Sequence, residues 1–567
     1  MTVLVLALYL LPIAGRPPTR NPNEVVRIEA AVAMGEFASV TIDPVIADYG
    51  LSEDVSLRKG HLYSDKAPGL SLLAVPLFWI GSAVLEPATD HGLPAYWTLR
   101  HLMTAVLVAL PTALLPFLLL CRASSVPDHL RAPLATVLAL STPLWTYGTV
   151  FFGHAPAAVL IGVAWWLLCG DDGDVSVGRI RTSFWGGVAA GFAVATEYPT
   201  VLLVAVMALG FLLRRPARRE LVAAGSGGFV GVLPALIYHQ LAFGAPWITG
   251  YSYKADPGFA AIIDTGVHGV AWPTLHGLWG VLLSPSRGLF AYAPILALGI
   301  AGLTVAAIRG SLSARLKLAA FVLYTCFAAG FVDWQAGWGA AARHLTPVVA
   351  LLIVPTARSI ASLAGARSGR AIVAVVATIS VANAVLSIVV TPFFPGEFAV
   401  PFASFVLPSL ADGHTAPTLI AGACGIASAV VWGLVGLVSV TCVILVFASD
   451  GRRMKLPVSI AMAAYLTILV AASAARPAEL EPMRRWLLGR LGHEVGVTPG
   501  APLQSSPDAT DPRASSRVPS TFSRRSRSAS RWDSSSVTRS ACSPPDSSCC
   551  SSSATRAASS SARRFTF

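Results

Sequence analysis

Ten residues ahead of a long apolar run hold the densest chemistry in the chain: Gly60-His61-Leu62-Tyr63-Ser64-Asp65-Lys66-Ala67-Pro68-Gly69. Pro68 suits the first turn of the helix that follows, so Lys66 stands near a helix N-terminus, where the macrodipole disfavours a cation. A bound anion removes that conflict, because a helix N-terminus and a lysine together make a phosphate site. The plainer reading pairs Lys66 with Asp65 or sends it into water. The preceding segment is acidic, with Glu24, Asp43, Asp48, Glu53, Asp54 and Asp65. A carboxylate beside a membrane-held phosphate can take the proton of an acceptor hydroxyl, or hold a divalent cation such as Mg2+, Mn2+ or Ca2+ through oxygen ligands. Each acid also has a structural reading: Glu24 completes a helix cap, and Asp43 before Pro44 starts a turn.

Further along, Phe151-Phe152-Gly153-His154 follows Thr142-Pro143-Leu144-Trp145-Thr146-Tyr147, an aromatic belt in which His154 reads either as a ligand for a phosphate or sugar or, more commonly for such a position, as a satisfied interfacial histidine. Glu197-Tyr198-Pro199 puts a carboxylate at a break between two helical halves, and broken helices in membranes line cavities. Arg287 and Arg343 lie in loops on the side where the charge rule expects no cations, so an anionic lipid headgroup or a carbonyl cap must account for each. The expected catalytic acids are therefore Glu24, Asp43 and Asp54. The phosphate-binding cations are Lys66, Arg287 and Arg343. Asp65, His154, Glu197 and Tyr63 form a second tier.

The elements that must position these groups are membrane helices. Of 567 residues, 54% are hydrophobic and only 12% charged, and mean hydropathy is +0.65. Soluble domains carry about 25% charged residues, so that class is excluded. Apolar runs long enough to cross a bilayer recur from residue 3 to 475, giving about 12–14 spans by length. Basic clusters such as Arg214-Arg215, Arg218-Arg219 and Arg452-Arg453 mark cytoplasmic loops. Segments 16–68, 245–287, 334–344 and 392–415 then share the outer side. Asn21-Pro22-Asn23-Glu24 starts a helix whose Val25, Ile28 and Val32 form one face, an amphipathic helix on the membrane surface. The net charge of +12 is topological and points to no nucleic acid. Eight cysteines form neither zinc spacing nor a disulfide framework.

Five segments follow: 1–15, a first transmembrane segment with a truncated look; 16–68, the outer loop with its helix and acids; 69–363, the transmembrane core; 364–490, C-terminal transmembrane helices; and 491–567, a Ser/Arg-rich tail expected to be disordered and given no function.

In this order the pieces resemble the GT-C superfamily of integral-membrane glycosyltransferases, nearest the bacterial family 39-like group related to protein O-mannosyltransferases and lipid A aminoarabinose transferases. Asn23-Glu24 stands where that group has an acidic motif, with Asn in place of the usual Asp. Tyr63-Ser64-Asp65-Lys66-Ala67-Pro68-Gly69 stands where it has a Lys-Pro-Pro-like motif. Phe243-Gly244-Ala245-Pro246, Ser284-Pro285-Ser286-Arg287-Gly288-Leu289 and Trp338-Gly339 through Arg343-His344-Leu345-Thr346-Pro347 look like its later loops. The resemblance implies a GT-C-like bundle, an all-α polytopic membrane protein of the bacterial inner (cytoplasmic) membrane. It implies a polyprenyl-phosphate-linked sugar as donor with Lys66 on its phosphate, membrane lipids around it, and an envelope lipid, glycan or protein as acceptor. A lipid or glycan transporter or flippase, or a catalytically inactive envelope-assembly protein, are the alternatives.

Overall fold

Asn21 and Pro22 set the start of the first long helix. In the computed structural model, which describes residues 1–13, 21–49, 54–84, 94–170, 180–447 and 452–490, Asn21 is extended and its side chain accepts a hydrogen bond from the Asn23 N–H. Helix α1 is Thr2–Leu10, and α2 is Pro22–Glu36. The surface position expected for α2 is not what the chain adopts. Asn23, Glu24 and every residue from Val26 to Ala33 are buried. The helix packs inside the protein against α3 (Asp43–Tyr49), a β-hairpin and α4 (Gly69–Val84). Glu24, Arg27 and Glu29, which give the helix a seemingly polar side, are all internal.

The hairpin consists of β1 (Val55–Arg58) and β2 (His61–Ser64), with Val55 opposite Ser64 and Arg58 opposite His61. Its turn, Lys59-Gly60, has positive φ at both residues (52° and 81°), the turn geometry that matches strand twist. A tight turn fixes register, and this register brings Asp54 and Asp65 together at the open end, where the Asp65 N–H donates to the Asp54 carbonyl at 3.4 Å. Helix α4 starts directly afterwards. Gly69 opens it because a Cβ there would stand 2.7 Å from the Ala195 backbone.

The other elements among the described residues are helices. Five of them, among the described residues, are long and apolar enough to cross a membrane: Leu99–Cys121, Arg218–Phe243, Leu312–Gly330, Arg343–Leu363 and Arg367–Leu386. A sixth arises if Val458–Ala474 and Ala478–Gly489, bent by 84°, count as one. Several long apolar helices of this kind are those of a polytopic membrane protein. The larger number expected from the apolar runs does not appear as full-length spans among the described residues, because five of those runs hold apolar helices of only 10–17 residues, α4 among them. Arg343–Leu363 is the central helix, with 78% of its apolar stretch inside the protein, against 28% for Arg218–Phe243.

That outer helix is held by a glycine seam. It runs parallel to Ile180–Thr196, and a Cβ at Gly187, Gly191, Gly227 or Gly231 would fall 2.0–2.3 Å from a carbonyl oxygen of the facing helix. Small residues bring helix backbones into contact where no hydrophobic drive exists.

The described residues belong to one compact unit, Met1–Val495. Glu53, the end of the first segment and the tail 491–567 lie outside the described residues.

Candidate functional site

The open end of the hairpin carries an ionic quartet. Lys66 Nζ lies 2.9 Å from Asp54 Oδ2 and 3.3 Å from Asp65 Oδ2. Lys254 Nζ lies 3.7 Å from Asp54 Oδ1 and in close contact with Asp65 Oδ2. Lys254 is delivered by strand-like pairing onto β1. The Ala255 N–H donates to the Val55 carbonyl at 3.0 Å, and Ser56 Oγ donates to the Gly250 carbonyl at 2.7 Å. Burial works to raise both carboxyls. At Asp54 the fields of Lys66, Lys254 and, farther off, Arg343 outweigh it and hold the carboxyl below its ordinary range. At Asp65, wholly enclosed beside the Asp54 charge, burial wins and the carboxyl is pushed up. Burial also opposes the charge on Lys66, but the two aspartates overcome it and raise its pKa. Two carboxyls side by side are thus driven apart in acidity, the arrangement that separates roles in ionisable pairs.

A second cluster forms at the helix break. The helix Ile180–Thr196 ends, Glu197 is extended (φ −147°), and a short turn at Tyr198–Thr200 restarts the chain as Val201–Leu213. Glu197 Oε1 accepts from Arg27 Nη2 at 2.7 Å and lies 3.5 Å from His154 Nδ1. Arg27 is saturated, its Nε donating to Asn23 Oδ1 (3.1 Å) and its Nη1 to the Ala67 carbonyl (3.0 Å). His154 Nε2 is buried without a hydrogen-bond partner.

Both clusters open on one cavity of about 240 Å³. Its polar wall is Asn23, Arg27, Asp54, Lys66, His154, Glu197, Lys254, Asp333, Arg343 and His344. Its apolar wall includes Phe259, Ile262, Ile263, Phe331 and Trp338. Residues from segments 16–68, 245–287 and 334–344 therefore converge, as loops on one side of a membrane can. Arg343 is the cation there with no ion-pair partner among the described residues. Its Nη1 donates to the Trp338 carbonyl at 3.3 Å, its guanidinium lies 5.7 Å from the centre of the Phe152 ring, and its Nε is buried without a partner.

Of the residues singled out in the sequence, the fold brings Lys66, Asp54, Arg343, His154 and Glu197 onto this cavity, with Asp65 directly behind. It places four elsewhere. Glu24 is wholly buried, with Oε2 3.0 Å from Arg100 Nη2 and Oε1 accepting from the Phe151 N–H at 2.8 Å. Asp43 ties α3 to the hairpin through His61 Nδ1 (2.7 Å) and the Leu62 N–H (2.8 Å). Tyr63 packs on Phe243 with ring centres 5.4 Å apart. Arg287 is used up by backbone: it donates to the carbonyls of Gln335, Ser286, Gly337 and Phe394 at 2.7–3.1 Å. None of the four is on the wall of the cavity. Asp54 is thus the acid of the expected catalytic three that lines it.

Lys254, Arg27, Asp333 and His344 were not singled out. Lys254 lies in the outer segment 245–287 and His344 next to Arg343, so adjacency was a signal for both. Arg27 had one too, one helical turn after Asn23 on α2. Among the described residues, no three metal-ligating side chains gather. A divalent cation at the hairpin does not fit, because the two carboxylates that would hold it are already bridged by two ammonium groups.

No protein-family model matches the chain, and no curated protein matches it. The structure is similar to the crystal structure of the Archaeoglobus fulgidus oligosaccharyltransferase in the apo form, at 13% identity and a TM-score of 0.35, over 77% of this chain and 55% of that one. This chain thus spans about half the length of that structure, and at such a score the likeness says nothing of chemistry, which stands on the cavity itself.

Proposed function

We propose that the protein is a membrane glycosyltransferase that moves a sugar from a polyprenyl-phosphate donor to a hydroxyl of an envelope acceptor on the outer face of the membrane. The observation that carries this reading is the Arg343 guanidinium, half-buried on the cavity wall with an unpartnered Nε and no paired carboxylate among the described residues, close enough to act on the Asp54 and Lys66 charges. A half-buried cation of that kind attracts an anion from outside the chain, and a donor phosphate supplies one. Lys66 and Lys254 stand beside it with ammonium groups fixed by Asp54 and Asp65, ready to stabilise charge on a departing phosphate without reorganising. Phe259, Ile262, Ile263 and Phe331 give the prenyl chain an apolar wall.

In this scheme the acceptor oxygen attacks the anomeric carbon and the polyprenyl phosphate leaves. The test is transfer by the purified full chain from radiolabelled undecaprenyl-phosphate sugars to an envelope lipid extract or a Ser/Thr peptide. Lys66→Ala and Arg343→Gln are each expected to weaken it, by roughly 10–150-fold in kcat/KM. Full transfer by either folded variant removes the assignment of that cation, and full transfer by both removes the reading.

A further inference from the structure

We propose that His154 Nε2 is the site that receives the acceptor's proton, with Glu197 and Arg27 positioning the imidazole; this rests on the transferase reading. His154 is 4% exposed and begins the helix His154–Leu168. Its two nitrogens have opposite surroundings. Nδ1 faces Glu197 Oε1 at 3.5 Å, while Nε2 is enclosed, meets no hydrogen-bond partner, and belongs to a residue on the cavity wall. A carboxylate on one side of a neutral imidazole places the proton there and leaves a lone pair on the other nitrogen. A buried acceptor without a donor is unfavourable until a ligand brings one, and a hydroxyl is such a donor.

The surroundings are built for this contact. A Cβ at residue 153 would stand 2.3 Å from Glu197 Oε1 and 2.7 Å from the Thr196 carbonyl, so Gly153 is what lets the carboxylate lie beside the ring. The imidazole plane is set by edge contacts to His344 at 5.4 Å and Tyr147 at 6.0 Å. Arg27 donates to the same Glu197 oxygen and keeps it in place. Asp54, the acid on the opposite cluster, already has its carboxylate oxygens engaged by two ammonium groups.

The step balances. As the acceptor oxygen bonds to the anomeric carbon, its proton moves to His154 Nε2. The bond from that carbon to the phosphate oxygen breaks, and the electron pair stays on the phosphate. The imidazolium formed lies against the Glu197 carboxylate.

The experiment measures kcat and donor KM with undecaprenyl-phosphate carrying radiolabelled mannose, glucose or arabinose. His154→Gln is expected to lower kcat by about 10²–10⁴-fold with donor KM unchanged, and Glu197→Gln to lower kcat less. Added imidazole is expected to restore part of the activity of His154→Gly, which a purely structural histidine would not allow. Wild-type kcat in folded His154→Gln overturns the proposal and leaves the transferase reading standing. Absence of rescue in a His154→Gly variant that still binds donor also overturns it. A wild-type chain that transfers from none of these donors takes both down. Where the glutamine variant does not fold, His154→Asn carries the same comparison.

Discussion

Arg27 and Glu197 stand 170 residues apart in the chain and 2.7 Å apart in space, both closed off from solvent. The pair stitches α2 to the helix break and so joins the two halves of the cavity wall. Arg27→Met leaves the Glu197 charge buried beside His154 without its main partner. Removing one member of such a pair costs about 3–5 kcal/mol. Thermal unfolding in detergent is expected to show that loss, and Arg27→Met with Glu197→Gln to lose less than the sum of the two single variants.

In the proposed reaction Lys66 holds the donor through charge, so the expected effect of replacing it is on the donor. Lys66→Ala removes one charge-assisted contact, worth about 1.5–3 kcal/mol, or roughly 10–150-fold in kcat/KM. Lys66→Arg is expected to keep part of it. Equal kcat/KM for all three proteins would exclude a donor phosphate at this ammonium.

Glu24 and Asp54 should separate cleanly. Glu24→Gln keeps an oxygen for the Phe151 N–H but loses the charge facing Arg100. It is expected to lower the melting temperature with kcat of the folded fraction unchanged. Asp54→Asn loosens Lys66 and Lys254 and is expected to raise donor KM. A drop in kcat for folded Glu24→Gln would return that residue to the reaction.

Glu29 predicts a pH dependence. It is wholly buried on α2, neither carboxylate oxygen has a hydrogen bond, and burial raises its pKa from 4.5 to about 8. Between those values the native chain keeps a proton that the unfolded chain releases. Stability is therefore greatest below pH 4.5 as far as this group is concerned, falls as pH rises, and levels off above about 8. The loss amounts to a few kcal/mol. Glu29→Gln is expected to remove it, raising the melting temperature at pH 8.5 relative to wild type and leaving it little changed at pH 5. Parallel melting curves for the two proteins from pH 5 to 8.5 would contradict this.

Local signals were legible and long-range partners were not. The Asn21-Pro22 helix start, the break at Glu197 and the place of Lys66 just ahead of α4 all depend on residues within a few positions of each other, and each stands where the sequence puts it. Glu24 looked like a catalytic acid because nothing within its own segment announces Arg100. Arg287 looked like an anion ligand because backbone carbonyls near residues 335 and 394 leave no mark in a string of letters. The burial of α2 was hidden by its own charges, since Glu24, Arg27 and Glu29 imitate a wet face unless their neutralising or protonated states are known. The hairpin was missed for a related reason: two four-residue strands are short, and their turn is Lys-Gly, which lacks the Asn-Gly or Asp-Gly signature.

The glycine seam divides the freedom to vary unevenly around one helix. On the outward side of Arg218–Phe243, Val222, Phe229, Val230, Ile237 and Leu241 are exposed, and one oily side chain there can replace another at little cost. At Gly227 and Gly231 a single methyl group would drive the two backbones apart. A library randomised along this helix should therefore return a striped tolerance map, permissive on the exposed side and intolerant every fourth residue along the joint.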